Sequence, residues 1–262
     1  MTRRRALGQH FLRDGATARA IVDLVAPTAH DLVVEIGPGQ GALTGELVRR
    51  AGHVVALEID RALAEPLRGR VPGAEVVEAD ARTWDYGRLE RPTGGRVLVV
   101  GNLPYSVSKP ILAALVAART RLDEMALMLQ REVAERVAAP PGSRVYGSLS
   151  VLTQIYTDVR LALRVGPEAF RPPPKVDSAV LHLTVLAAPR VMLNDDAHFH
   201  TVVRAAFARR RKTLANALAA GLGVSVDVAR RAVASAGVDP GRRAETLAIR
   251  DFAALATAMM NP

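Results

Sequence analysis

The sequence contains no cysteine, and aromatic residues make up only 4% of the chain. The lack of cysteine excludes disulfide bonds, thiolate nucleophiles and zinc sites with sulfur ligands. Long hydrophobic runs are also missing: no apolar stretch reaches the roughly 18 residues of a membrane span, and the first twelve residues lack the apolar core of a signal peptide. We therefore expect a cytoplasmic protein that does not contact a membrane.

The net charge of +9 is confined to the two ends of the chain. Residues 14–189 hold 20 basic and 20 acidic residues, residues 1–13 hold four arginines and no acid, and residues 190–262 hold eleven basic and six acidic residues. A charge-balanced middle with basic ends favours a catalytic domain flanked by segments that bind a polyanion, most simply nucleic acid. The alternative is solvated helix faces in a protein that uses arginine almost to the exclusion of lysine.

The hydrophobic pattern predicts two domains. At 262 residues and 49% hydrophobic composition the chain can bury a full core. Apolar runs alternate with helix-like segments, which predicts a doubly wound, Rossmann-like α/β fold. Its seven strands are expected in LVVEIG, HVVALEID, AEVVEAD, RVLVVGN, MALMLQ, VRLALRV and AVLHLTVL, with the last two as an antiparallel pair. We therefore predict a catalytic domain over 1–189 and a small helical domain over 190–262. The first helix of the helical domain is predicted to run without a break through FARRRKTLANAL, and the helices are predicted to end at Gly221, Gly237 and Gly241.

A glycine-rich turn follows the first of these strands. In EIGPGQGAL, the residues Gly37, Gly39 and Ala42 match the G-x-G-x-x-A dinucleotide pattern, and Glu58 ends the next strand about 20 residues further on. Glycines at such a turn let the backbone approach a ligand at the positive end of a helix. The pattern alone leaves both NAD and a nucleoside cofactor of another kind open.

Polar side chains end three successive strands, and they favour S-adenosylmethionine over NAD. Glu58 can accept hydrogen bonds from both ribose hydroxyls, Asp80 can accept from an adenine amine, and Asn102 ends the fourth strand. Dinucleotide binding does not require an acid after the third strand. The competing interpretation is that Asp80 caps the segment that follows it.

The stretch VLVVGNLPYSVSKP predicts a clamp for a planar group that carries an amine. The exocyclic amine of adenine is a poor nucleophile because its lone pair is conjugated with the ring. The carboxamide oxygen of Asn102 and the carbonyl of Leu103, which Pro104 frees from the strand ladder, can accept the two amine hydrogens. Tyr105 offers a face on which a flipped-out base can stack, and no metal or dedicated base is required. A plain strand end with a proline turn is the alternative.

The sequence resembles the ribosomal RNA adenine dimethyltransferase family, in its small-subunit branch, over nearly the whole chain. The resemblance rests on Asp80 and on ordered blocks at the expected separations: GQHFL (8–12), EIGPGQGALT (35–44), LEID (57–60), GNLPYSVSKPIL (101–112), YGSLSVL (146–152), FRPPPKVDSAVL (170–181), FARRRKTLANAL (207–218) and RAETL (243–247). It implies dimethylation of two adjacent adenosines near the 3′ end of small-subunit ribosomal RNA. Large-subunit methylation, as in the sister enzymes that confer macrolide resistance, and an assembly role through binding alone both stay open.

The resemblance also implies roles for individual residues. The cofactor site is expected to contain His10, Leu12, Gly37, Gly39, Glu58, Ile59, Asp80, Ala81 and Asn102, with His10 standing where relatives often have Asn. The residues expected to contact the target base are Phe11, Tyr105 and Phe170, the last as part of a pocket wall stiffened by three prolines.

The basic residues are expected to contact RNA backbone. They are Arg3, Arg4 and Arg5 in an amino-terminal arm and Arg209, Arg210, Arg211 and Lys212 within one helix turn. We predict no metal site at His198 and His200, because a spacing of two on a helix points the two rings to different faces. We expect a monomer that acts on the small ribosomal subunit.

Overall fold

The structure, a computed structural model, describes residues 10–209 and 211–260. The chain divides into two compact units. The first runs up to Ala134 and also contains Asp158–Val185, and the second contains Glu135–Thr157 and the residues from Leu186 onward. Within the described ranges, no helix is both long enough and apolar enough to cross a bilayer.

The first unit is built on a seven-stranded mixed sheet, as the hydrophobic pattern predicted. The order across the sheet is β4-β3-β2-β5-β6-β9-β7. The strands are β2 (Leu32–Ile36), β3 (His53–Glu58), β4 (Glu75–Glu78), β5 (Val97–Asn102), β6 (Glu124–Gln130), β7 (Thr157–Val165) and β9 (Ser178–Val185). The strands from β4 to β6 pair in parallel, whereas β9 pairs antiparallel with β6 and lies between β6 and β7. The carboxyl ends of β2 to β6 therefore meet at one edge, where ligands bind in such sheets.

A second, two-stranded sheet lies in the same unit. It pairs β1 (Phe11–Leu12) antiparallel with β8 (Phe170–Arg171), so that Leu12 is opposite Phe170. This pairing joins two segments that are far apart in the sequence, the GQHFL block and the start of FRPPPKVDS.

Helices connect the strands of the first unit, and some of them pack against the sheet through buried apolar side chains. These helices are α1 (Gly15–Val25), α2 (Thr44–Leu47), α3 (Arg61–Arg70), α4 (Ser108–Ala117) and α5 (Arg131–Val137), which runs into the second unit. In α1, the side chain of Asp14 caps the helix by accepting from the backbone N–H groups of Ala16 and Thr17, and Ile21 and Val22 are fully buried. The core beneath α1 takes in the apolar residues of β2, β5 and β6.

The second unit is helical and begins earlier in the chain than the boundary at 189/190 predicted from the pattern. Its helices are α6 (Ser148–Gln154), α7 (Asp196–Phe207), α8 (Leu214–Leu222), α9 (Val226–Ser235) and α10 (Ile249–Ala258). The segment Glu135–Thr157 belongs to this unit because it is bonded to the later residues: Gly142 N donates to Glu245 O at 2.7 Å, and Leu186 N donates to Tyr156 O at 2.9 Å. Helix periodicity does not reveal such a partition.

The predicted continuous helix over FARRRKTLANAL is wrong, because α7 ends at Phe207 and α8 begins at Leu214. The break lets α8 fold back onto α7. At their contact, a Cβ added to Gly221 would lie 2.6 Å from Ala205 Cβ, so only glycine allows this approach. Gly221 is thus a packing residue within α8, and the residue that ends the helix is Gly223, whose φ is +71°.

Candidate active site

One cleft opens at the carboxyl ends of β2, β3, β4 and β5, with about 1000 Å³ of empty space that includes open solvent at its mouth. It brings together every residue predicted for the cofactor site and the clamp. These are His10, Leu12, Gly37, Gly39, Glu58, Ile59, Asp80, Ala81, Asn102, Leu103, Pro104 and Tyr105, together with Phe11.

The glycine-rich turn shapes one wall of the cleft. Gly37 and Gly39 have φ values of +66° and +55°, which residues with a Cβ rarely adopt. Gly39 also lies against Phe11, since a Cβ at this position would be 3.0 Å from a ring carbon. Phe11, predicted to contact the target base, therefore lies over the glycine-rich turn.

Glu58 is buried at the end of β3 and is held in place by backbone donors. Its Oε2 accepts from Gly39 N at 3.1 Å and its Oε1 accepts from Asp60 N at 2.9 Å. Burial raises the pKa of Glu58, while these two N–H groups favour the charged form and oppose the shift. Each carboxylate oxygen has a second lone pair, so the group retains capacity for two ribose hydroxyls.

Asp80 follows β4 and does two things at once. It lines the cleft, and its Oδ1 accepts from the backbone N and from the Nε of Arg82, both at 2.9 Å. The side-chain hydrogen bond from Arg82 is the main reason that the pKa of Asp80 lies below its ordinary value. The side chain therefore binds the next turn and also lines the cleft as a carboxylate, and its contact with an adenine amine stays a prediction.

Glu35 is a cleft residue to which the sequence analysis assigned no role. It is 1% exposed, and within the described residues its Oε2 has no hydrogen-bond partner. Burial, with the nearby charge of Glu58 adding to it, raises the pKa of Glu35 to about 8. The residue stands inside the quoted glycine block, but only its burial in the folded sheet distinguishes it from an ordinary strand residue.

Asn102 is oriented by a backbone carbonyl. Its Nδ2 donates to His10 O at 2.9 Å, so the nitrogen of the carboxamide is engaged and the oxygen is left to accept. The next residue is also held, because Leu103 N donates to Met128 O on the neighbouring strand β6 at 3.0 Å. The two predicted acceptors of the clamp thus lie at a rigid strand end.

Tyr105 is half-buried and faces the ring of His10, with 5.6 Å between ring centroids and a 36° tilt. Its hydroxyl lies 2.6 Å from Ser178 Oγ at the start of β9. Burial raises the pKa of Tyr105, and the hydrogen bond with Ser178 opposes the shift. Arg82, Val107 and Ile111 also line the cleft and Ser178 contacts Tyr105, but the sequence predicted no role for any of them.

Phe170 does not line the cleft, which corrects its predicted contact with the base. The side chain is 2% exposed and belongs to the core cluster with Leu12, Ile21 and Val180. The reason is the pairing of β1 with β8, which turns this ring toward the core beneath α1.

Three of the predicted RNA-binding residues are described by the structure, and they lie outside the regular helices. Arg209, Arg211 and Lys212 are exposed in the connection between α7 and α8, where Lys212 N donates to Arg209 O, and so the prediction that they share one helix turn is wrong. Arg3, Arg4, Arg5 and Arg210 lie outside the described residues.

The cleft fits S-adenosylmethionine better than a dinucleotide. The acceptors Glu58 and Asp80 suit a ribose and an adenine amine, as predicted from the strand ends. A pyrophosphate at the glycine-rich turn would bring negative charge into a cleft that Glu58 and the carboxylate of Asp80 line, whereas a sulfonium is positively charged. The acceptor set therefore favours the cationic cofactor.

Comparisons with known proteins agree with this assignment. The ribosomal RNA adenine dimethylase family matches residues 1–260. The chain is 45% identical to the ribosomal RNA small subunit methyltransferase A of Geobacter sulfurreducens, over 98% of this chain and 95% of the relative, and 45% identical to that of Moorella thermoacetica, over 98% and 93%.

Two solved structures share the architecture over nearly the whole chain. A dimethyladenosine transferase from Plasmodium falciparum aligns with a TM-score of 0.79 and 24% identity, over 94% of this chain and 96% of that one, which supports the fold. The 23S rRNA methyltransferase ErmE aligns with a TM-score of 0.70 and 27% identity, over 96% and 100%. Sequence and fold lead to the same conclusion: the chain belongs to the ribosomal RNA adenine dimethylase family.

Proposed function

We propose that this protein methylates two adjacent adenosines near the 3′ end of small-subunit ribosomal RNA, placing two methyl groups on each exocyclic amine during ribosome biogenesis in the cytoplasm. The observation that carries the proposal is the oriented carboxamide of Asn102, which faces the same cleft as the cofactor acceptors Glu58 and Asp80. The choice of the small subunit is supported by the names of the most similar relatives.

As a member of its family, the chain is an S-adenosylmethionine-dependent enzyme. When bound, S-adenosylmethionine supplies an electrophilic methyl group. Glu58 and Asp80 would hold its ribose and adenine, and the turn at Gly37 and Gly39 would let its chain lie close to the backbone.

The chain's own contribution to the chemistry is to prepare the amine. Asn102 Oδ1 and the Leu103 carbonyl accept its two hydrogens and so draw the nitrogen toward tetrahedral geometry, with its lone pair aimed along the cleft. Tyr105 stacks on the base and excludes water, which is worth about 1 to 3 kcal/mol for a stacked base. The amine becomes acidic as it is alkylated, so its proton can leave to water without a dedicated base.

The target base must leave its RNA stack to reach this cleft, because the clamp surrounds its Watson–Crick edge. We propose that the exposed basic residues of the α7–α8 connection, Arg209, Arg211 and Lys212, hold RNA backbone in the second unit. Their charge is part of the excess that the sequence places at the chain ends. The second unit would then serve RNA docking and the first unit catalysis, in a monomer.

The likeness to ErmE favours one competing function, methylation of large-subunit ribosomal RNA, since that structure aligns over 96% of this chain. A role in subunit assembly through binding alone is the second alternative. Both predict protein–ribosome binding, so only the methylated product separates the three.

The deciding experiment is transfer of labelled methyl from S-adenosylmethionine to unmethylated small and large subunits, followed by nucleoside mapping. Asn102→Ala should lower the transfer rate by about 100-fold or more, the scale found when one preorganised group at a reacting centre is removed. Asn194→Ala, an exposed asparagine of the second unit, is the matched control and should behave as wild type.

Each outcome selects one function. Dimethyladenosine at two adjacent small-subunit positions, lost in Asn102→Ala, supports the proposal. Label confined to large-subunit RNA would assign the chain to the competing branch. No label on either subunit, with Asn102→Ala still supporting subunit maturation, would identify an assembly factor.

A further inference from the structure

The segment FRPPPKVDS remains without a role once Phe170 is placed in the core. Its last residue, Ser178, opens β9 and is paired with Gln130 at the end of β6. The side chain is 0% exposed, and its hydroxyl lies 2.6 Å from the hydroxyl of Tyr105, a residue 73 positions earlier in the chain. The hydroxyl of a fully buried serine therefore forms a hydrogen bond with Tyr105, the residue proposed to stack on the target base.

Ser178 is itself rigidly held. It lies in the antiparallel ladder between β6 and β9, and the preceding residue Asp177 forms an ion pair with Arg131 at 2.6 Å. Arg131 N also donates to Asp177 O at 3.0 Å. The serine hydroxyl is thus a fixed point from which the position of another group can be defined.

The hydrogen bond constrains one degree of freedom of Tyr105. The phenol oxygen lies on the axis about which the ring rotates, so a bond at this atom fixes the direction in which the side chain points and leaves the ring free to turn. The rotation of the ring is restricted separately by His10, whose ring centroid lies 5.6 Å from that of Tyr105. His10 is tied to the same segment, because its Nδ1 lies 2.8 Å from Pro172 O.

The segment 170–178 therefore contacts residues of the cleft at two points, Pro172 to His10 and Ser178 to Tyr105 of the clamp. We propose that Ser178 is a positioning residue for methyl transfer, whose hydroxyl holds the Tyr105 ring where it stacks on the target adenine. This inference rests on the proposed function and adds to it the residue that orients the stacking face. The three prolines stiffen the connection between the two points and so keep both contacts in register.

The test is a double-mutant cycle of Ser178→Ala and Tyr105→Phe. Both single variants remove the same hydrogen bond and keep the ring, so each should lower kcat on small subunits by about tenfold, and the double variant should lose no more than either single one. Ser178→Thr retains the hydroxyl in a strand position and should restore most of the rate. The matched control is Ser235→Ala, whose hydroxyl bonds only within α9.

Two further readouts distinguish positioning from a general loss of structure. The Kd of Ser178→Ala for S-adenosylmethionine should stay close to that of the wild type, because the acceptors Glu58 and Asp80 remain in place. Its Tm should fall by no more than a few degrees, the effect of losing one hydrogen bond. The inference would be overturned if the two single losses of kcat multiplied in the double variant, or if Ser178→Ala kept the wild-type kcat. A fall in cofactor affinity that paralleled the fall in kcat would overturn it as well. A wild-type protein that methylates no RNA would instead overturn the proposed function.

Discussion

At the scale of single residues, the cleft contains carboxyl groups whose pKa values are shifted in opposite directions. Asp80 is held as a carboxylate by Arg82, whereas burial raises the pKa of Glu35 to about 8, and its Oε2 has no partner among the residues that the structure describes. Burial raises the pKa of Glu58, and two backbone donors act against this shift. The acceptor with the firmest negative charge is thus the one nearest to solvent.

Glu35 should make the protein less stable as the pH rises toward 8. Its pKa is 4.5 in its ordinary state and about 8 in the folded protein, so between these values the folded state binds more protons than the unfolded state. The free energy of unfolding must then fall with rising pH across this window, and the loss is complete above it. In Glu35→Gln the decline between pH 5 and 8 should be shallower, as measured by equilibrium urea unfolding without cofactor.

Glu90→Gln is the control for this comparison, since Glu90 is exposed at the surface of the first unit. The free energy of unfolding of this variant should change with pH as it does in the wild type. A Glu35→Gln curve with the wild-type slope throughout pH 5–8 would show that Glu35 does not carry the effect.

At the scale of elements, a single glycine determines how α7 and α8 pack. The helices approach so closely that a methyl group at Gly221 would overlap Ala205. The hydrophobic pattern of FARRRKTLANAL is compatible with one long helix, and the four adjacent basic side chains do not by themselves dictate a break. The packing of the folded-back α8, with Leu214 and Leu218 fully buried, supplies the free energy that favours two helices.

Gly221→Ala should destabilise the protein by about 1 to 3 kcal/mol, the usual cost of overpacking a close helix contact. Gly69→Ala is the matched control, because Gly69 is also helical, in α3, and a Cβ there meets nothing within 4 Å. The control should be neutral or stabilising by roughly 0.5 to 1 kcal/mol, since alanine favours the helix. Urea unfolding of both variants measures the difference, and equal stabilities for the two would contradict the packing role.

At the scale of the whole molecule, the charge distribution separates binding from chemistry. The first unit contains most of the charge-balanced middle of the chain, and the exposed basic residues of the α7–α8 connection belong to the second unit. An electrostatic attachment of this kind is not specific for sequence, so the choice of target base must be made in the cleft.

Binding to the small ribosomal subunit should therefore depend steeply on salt. If several phosphates are contacted, affinity should fall about tenfold or more over a few-fold rise in salt concentration. Replacing both Arg211 and Lys212 by alanine should lower the slope of log Kd against log salt by roughly 1.4 to 1.8, whereas Arg88→Ala in the first unit should leave it unchanged. Filter binding over about 50–300 mM salt measures these slopes. A Kd that does not change with salt would rule out electrostatic docking.

The sequence by itself determined the sheet and the acceptor groups of the cleft. Glu58, Asp80 and Asn102 each follow a recognisable apolar strand, and the carboxyl ends of parallel strands necessarily meet at one edge. Their proximity therefore follows from local patterns alone. The glycine-rich turn and NLPY are equally local, because each needs only a few consecutive residues.

Only the tertiary structure decided which distant segments support these groups. Tyr105 and Ser178 are 73 residues apart, and Asn102 is oriented by His10, 92 residues away. Phe170 enters the core through its pairing with β1, and 135–157 joins the second unit through contacts with later residues, such as the bond from Gly142 N to Glu245 O. Periodicity reports which face of an element is apolar, but it carries no information about the partner that covers that face, and so these contacts exist only in the folded chain.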